Sequence, residues 1–189
     1  MIFKIKNILS KESIKTTLSK SKKFISNNIS SYKILIRTHI SGIEKNISLF
    51  KKKYEKEKID QASLIFTKKF NISNNFYFNL HSVNENKSKS LNKTYFQKNN
   101  AADVLSFPLY KNIDSILSLN PENEEDLGDM FINRKIIKKH SQIYGKSFVE
   151  ELQFIIIHGL LHLVGYSHKN EIKLRKMEDE LMKMVWNEY

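Results

Sequence analysis

His158 and His162 stand four residues apart in the apolar run Phe154-Ile-Ile-Ile-His-Gly-Leu-Leu-His-Leu-Val164, and His168 follows beyond Gly165. Residues four apart on a helix share one face, with Cβ atoms about 5–6 Å apart. Two imidazole nitrogens so placed can ligate one metal ion at ~2.0–2.1 Å each. Gly165 permits the sharp turn that carries a third imidazole back toward the first two. Three protein ligands leave a fourth tetrahedral position to water, the arrangement of catalytic rather than structural zinc. A metal so held lowers the pKa of its water toward ~7 and supplies hydroxide at neutral pH. A histidine on an apolar face is more often a satisfied core residue than a ligand. Here, however, three of the six histidines fall within eleven residues, and burying two unpaired imidazoles in an oily helix costs free energy. The spacing therefore predicts one zinc ion on His158, His162 and His168.

What the same helix lacks is also informative. Zinc peptidases carry H-E-x-x-H, with the glutamate as general base, and that position here is Gly159. The helix is zincin-like, but peptide hydrolysis is disfavoured. There is no cysteine, so disulfides, thiolate metal sites and cysteine nucleophiles are excluded together. No apolar run reaches the ~18 residues of a membrane span, and no secretory signal is recognisable. The expectation is a soluble, cytoplasmic protein with no membrane partner.

At 189 residues the chain has about one domain's worth of sequence. Its net charge of +12 is uneven: residues 1–58 hold 15 Lys+Arg against 4 Asp+Glu, and residues 59–189 hold 17 against 16. A basic arm before a neutral body favours polyanions such as RNA. Codon drift in an AT-rich genome competes as the explanation, since 29 of the 32 basic residues are lysine, alongside 24 Ile and 19 Asn. Residues 1–31, rich in Lys and Ser, read as a loosely ordered or helical basic extension. Residues 32–189 read as one domain.

The elements that must position the histidines can be read along that domain. Residues 32–40 are β-branched and predict a strand; residues 47–70 carry apolar residues at helical spacing. Residues 76–83 alternate and predict a second strand. NENKSKS, 84–90, reads as a polar loop and 91–96 as a short helix. Residues 102–108 form a third strand closed by Pro108. The acidic stretch 111–127 reads as a surface loop, and 128–132 as a fourth strand. Asn133 caps a helix over 134–144. Ser147 with Glu150 makes a capping box for the central helix, which stops at Gly165. A last amphipathic helix runs from about 170 to 187, with Ile172, Leu174, Met177, Leu181, Met184 and Val185 on its apolar side.

Three segments carry a family resemblance. HGLLHLVGYSH at 158–168, ADVLSFP at 102–108 and LGDMFI at 127–132 occur in the order and spacing of H-G-x-L-H-L-x-G-Y-D-H, T-[DN]-V-L-S-F-P and L-G-D-[IL]-x-I. Over about residues 32–189 the chain resembles the YbeY endoribonucleases, or rRNA maturation factors. The resemblance implies an α+β fold with a small mixed four-stranded sheet flanked by helices, the zincin-like central helix carrying the metal ligands. It implies a single-strand-specific, zinc-dependent endoribonuclease acting in 16S rRNA 3′-end maturation and ribosome quality control. Its partners would be single-stranded RNA and a ribosomal subunit. The metal ligands carry over to His158, His162 and His168.

The chain departs from the family pattern at two informative places. The arginine that the resemblance associates with nuclease activity falls at Phe96, and the nearest stand-in for a phosphate contact is Lys98. The aspartate before the third histidine is Ser167, a weaker partner for a ligand imidazole. These departures keep open a second reading, a non-catalytic ribosome or RNA-binding factor on the same fold. The identity of a general base and the oligomeric state are not legible. Asp103 and Asp129 read as acceptors for backbone donors, and Ser106 as a structural hydroxyl. His39, His81 and His140 read as structural or surface residues. Arg134, Lys135 and Arg175 read as solvated surface charge that could touch phosphates, and Trp186 and Tyr189 as packing residues.

Overall fold

The computed structural model describes residues 35–39, 53–72, 75–120 and 122–187. The basic stretch 1–31 and Tyr189 lie outside these residues, and all described elements belong to the unit Ile34–Tyr189. The chain is a mixed α+β fold. Strands Phe76–Ser82 (β2), Val104–Pro108 (β3) and Glu125–Ile132 (β4) make the body of the sheet, and Leu35–His39 (β1) pairs along the outer edge of β2. The order is β1-β2-β4-β3; β2 runs parallel to β1 and β4, while β3 is antiparallel to β4. Parallel neighbours need crossovers, and helices supply them.

Those helices are Lys53–Phe70 (α1), Glu85–Phe96 (α2), Ile113–Leu117 (α3), Arg134–Ile143 (α4), Phe148–Leu163 (α5) and Glu171–Asn187 (α6). Helix α5 is the hub. It contacts β3, β4, α1, α4 and α6, and Leu152, Ile156, Ile157, Leu160 and Leu161 on it are fully buried. A helix apolar around most of its circumference has to be covered on most sides. It starts at the capping box: Ser147 Oγ accepts from the Glu150 amide at 3.2 Å, and Glu150 Oε2 accepts from the Ser147 amide at 2.7 Å.

Helix α5 lies close to the sheet because of Gly159. A Cβ there would stand 2.5 Å from Met130 Cε, 2.7 Å from Met130 Sδ and 3.2 Å from Ser106 Oγ. Ser106 and Met130 are cross-strand partners in the β3–β4 register, so the glycine seats the helix on that pair.

Three expectations about elements are corrected. The polar stretch 84–90 is not a loop: it is the first half of α2, capped by Asn84, whose Oδ1 accepts from the Lys87 amide at 2.9 Å. The buried side of α2 is Ser88 and Asn92, so hydrophobic periodicity has nothing to register. Ser88 Oγ accepts from the Ala102 amide at 2.9 Å and donates to the Ala102 carbonyl at 2.8 Å. Asn92 Nδ2 donates to the Asn100 carbonyl at 2.8 Å. The stretch 111–127, read as a loop, contains α3, capped by Asn112, and the start of β4 at Glu125. That start was hidden by a bulge. From Tyr77↔Asp126 to Asn79↔Asp129 strand β4 advances one residue more than β2, at Gly128, which has φ +124°. The extra residue breaks the period-two pattern, leaving Leu127 and Gly128 buried in succession. Finally, Ile172 is 84% exposed and does not join the apolar side of α6.

Candidate metal centre

The end of α5 sets the site. Its last turn closes in a Schellman arrangement: the Tyr166 amide donates to the Leu161 carbonyl at 2.9 Å and the Gly165 amide to the His162 carbonyl at 3.0 Å. Gly165 has φ +93°, the left-handed conformation that glycine adopts without penalty. A Cβ there would also meet the Lys111 carbonyl oxygen at 2.5 Å. The reversal delivers His168 onto a short 3-10 turn, His168–Asn170.

All three predicted ligands come together. One ring nitrogen from each of His158, His162 and His168 lies within 4.8 Å of the others. Ring centroids are 4.5 Å apart for His158 and His162, 4.9 Å for His162 and His168, and 5.4 Å for His158 and His168. His158 and His162 are half-buried, and His168 is exposed.

The other ring nitrogens show which lone pairs face inward. His162 Nδ1 is 2.7 Å from the Tyr166 carbonyl oxygen, which only accepts, so Nδ1 carries the proton. His158 Nδ1 is 2.5 Å from Glu178 Oε1. Glu178 is kept ionised: burial works against its charge, but the hydrogen bond from His158, the charge on that ring and Arg175 outweigh it and hold its pKa below the ordinary value. An ionised carboxylate only accepts, so His158 Nδ1 also carries its proton. The two Nε2 atoms face one another 3.0 Å apart. Burial and the neighbouring His158 push the pKa of His162 down to about 4, so His162 Nε2 presents a lone pair at neutral pH. A metal ion between the two Nε2 atoms would take a lone pair from each ring, so the donor set fits a metal ion. His168 is backed more loosely: its Nδ1 is 3.7 Å from Glu171 Oε2, an exposed ion-pair contact longer than a hydrogen bond.

Glu178 and Glu171 escape a reading by motif. Glu178 had a signal: it lies four residues after Leu174 and three before Leu181, on the buried stripe of α6. A carboxylate in that stripe needs a partner.

The remaining candidates are placed as follows. Lys98 is exposed just past the end of α2. Phe96 is 44% exposed and packs on Phe107 at 5.6 Å between centroids. Arg134 is not a solvated charge: its Nη2 is 2.8 Å from Glu55 Oε2, and its guanidinium lies over the Phe148 ring. Lys135 pairs with Glu85 at 3.0 Å. Asp103 does accept a backbone donor, from Val104 at 2.7 Å, and its other oxygen meets His140 Nδ1 at 3.1 Å. Asp129 instead holds His81 Nε2 at 2.7 Å. Ser106 Oγ faces Gly159, where a peptidase would carry its glutamate and where a Cβ would press on the end of the Met130 side chain. Trp186 is about half exposed. His39 has its side chain outside the described residues.

The family model described as Endoribonuclease YbeY matches residues 39–187. The Endoribonuclease YbeY of Lactobacillus acidophilus is 35% identical over 118 residues, 60% of this chain and 68% of the relative. That of Staphylococcus epidermidis is 35% identical over 121 residues, 64% of this chain and 78% of the relative. That of Prochlorococcus marinus is 37% identical over 123 residues, 65% of this chain and 64% of the relative. A solution structure from Thermotoga maritima aligns at 26% identity and a TM-score of 0.49, over 82% of this chain and 91% of that one. With most of the chain matched by the family, and the three histidines of its central motif converging on one point, this protein belongs to the YbeY endoribonuclease family.

Proposed function

We propose that the protein is a zinc-dependent endoribonuclease that cuts single-stranded RNA and acts in 16S rRNA 3′-end maturation and ribosome quality control in the cytoplasm, with a ribosomal subunit as its partner. The observation that carries the metal dependence is the pair of Nε2 atoms 3.0 Å apart, each with its Nδ1 committed to an acceptor. A zinc ion on His158, His162 and His168 would supply an activated water and charge stabilisation at the scissile phosphate. The chain's own residues do the rest. Glu178 and the Tyr166 carbonyl fix the tautomers of His158 and His162 and aim both Nε2 atoms inward. Glu171 stands behind His168. Burial holds the pKa of His162 down and keeps that ring neutral and ready to ligate. Lys98, exposed after α2, adds positive charge for the strand, and residues 1–31 add unspecific attraction to RNA.

Labelled single-stranded RNA incubated with the purified protein tests this reading. Cleavage should require metal, cease with chelator and cease in His162→Ala. Cleavage that persists in chelator or in that variant would refute it.

Phe96 favours the second reading. It packs against Phe107 and offers no charge to a phosphate. If the zinc-loaded protein binds ribosomal subunits but cuts no RNA, and Phe96→Arg does not restore cutting, the chain is a non-catalytic factor.

A further inference from the structure

A strand that enters the three-histidine centre brings a negative phosphate, and the protein must meet it with a cation. The chain has three arginines. Arg37 has its side chain outside the described residues. Arg134 is committed inward to Glu55 and Phe148. Arg175 is different. Its side chain is 72% exposed, and its Nη2 is 3.0 Å from Glu171 Oε1. The other oxygen of that carboxylate is 3.7 Å from Nδ1 of His168. Three residues further along α6 is Glu178, the partner of His158. Arg175 thus stands between the two carboxylates that back the outer and inner histidines, and its charge reaches the buried one.

Stability does not account for this placement, because an exposed pair four apart on a helix contributes little. The hydrogen bond to Glu171 uses one of five N–H donors. The rest of the guanidinium fork remains open, in the planar geometry that matches two phosphate oxygens. The nearby lysines compare poorly. Lys173 lies over the Tyr166 ring, and Lys169 offers a point charge. Resting on the nuclease reading, we propose that Arg175 is the residue that grips a phosphate of the RNA strand at the metal centre, using the donors that Glu171 leaves open.

The test measures binding of a labelled single-stranded RNA to the full chain in chelator, where no cleavage intervenes, across a range of salt. Wild type, Arg175→Ala and Arg175→Lys are compared, with zinc content and melting temperature measured on each. Arg175→Ala should weaken binding several-fold or more. It should also lower the slope of log affinity against log salt by about 0.7, the value for one phosphate contact on a single strand. Arg175→Lys should restore the slope but only part of the affinity. Unchanged affinity and slope in Arg175→Ala would overturn the proposal. So would lost zinc with RNA binding intact, which would make Arg175 a positioning residue for Glu171. The two readings fail separately. A wild type that binds RNA through Arg175 but never cuts it refutes the nuclease alone, and a wild type that cuts while Arg175→Ala binds equally well refutes the phosphate contact alone.

Discussion

Glu178 on the last helix reaches across to His158 on the central helix, with Oε1 2.5 Å from Nδ1. The contact joins two elements through Nδ1 of His158 and leaves its Nε2 facing Nε2 of His162.

That relationship predicts a metal-affinity effect. Removing an outer partner of a ligating histidine typically costs 10–100-fold in affinity. Glu178→Ala should weaken zinc binding by about that factor, and Glu178→Gln, which can still accept through its amide oxygen, by less. Competition with a fluorescent chelator measures both. Equal affinities for wild type and Glu178→Ala would show that the carboxylate is only buried.

The low pKa of His162 predicts an acid-sensitive fold. The group titrates at about 4 in the folded chain, against the 6.5 ordinary for a solvated histidine. Between those values the unfolded chain binds a proton that the folded chain does not. The contribution is therefore complete above pH 6.5, declines as pH falls toward about 4, and is spent below that. The melting temperature of metal-free protein should fall across this window. His162→Ala should flatten the fall, and a wild-type profile that stays level would contradict the assignment.

Gly159 predicts that the peptidase motif cannot be installed. Gly159→Glu would drive a side chain into Met130 and Ser106, whose atoms already crowd the position of a Cβ. Overpacking of this kind costs ~1–3 kcal/mol or more, and a buried carboxylate adds to it. The variant should melt several degrees lower and show no peptidase activity. Gly159→Ala should fall between, because Met130 is flexible.

The basic extension predicts a separable effect. Deleting residues 1–31 should leave the melting temperature nearly unchanged and weaken RNA binding most at low salt. A large drop in stability would place the domain boundary elsewhere.

The three-histidine cluster was legible because its members lie within eleven consecutive residues and because the helix carrying the first two has a strong cap at Ser147 and a glycine stop at Gly165. Both are local signals. Glu178 was less legible, since it sits on a different helix from His158 and meets it only after the chain has turned, whereas Glu171 is a local neighbour of His168, three residues on. The first half of helix α2 was missed for another reason. A search for periodic apolar residues depends on contrast, and a helix that buries serine and asparagine has none. Strand β4 was shortened because a bulge at Gly128 shifts its alternation by one.

Ser88 and Asn92, which tie α2 to the segment after it, have a consequence for the lifetime of that segment in solution. Residues 97–103 belong to no helix or strand, and lysines at 87, 89, 93 and 98 flank or occupy the region. Lys98 within it offers a cleavage site to a lysine-specific protease. The tie works against this: the amide of Ala102 is held by a buried serine hydroxyl, and the carbonyl of Asn100 by a buried asparagine. In deuterium exchange the Ala102 amide should be slow, in the company of the strand that follows it. Limited digestion should spare the segment until α2 itself opens.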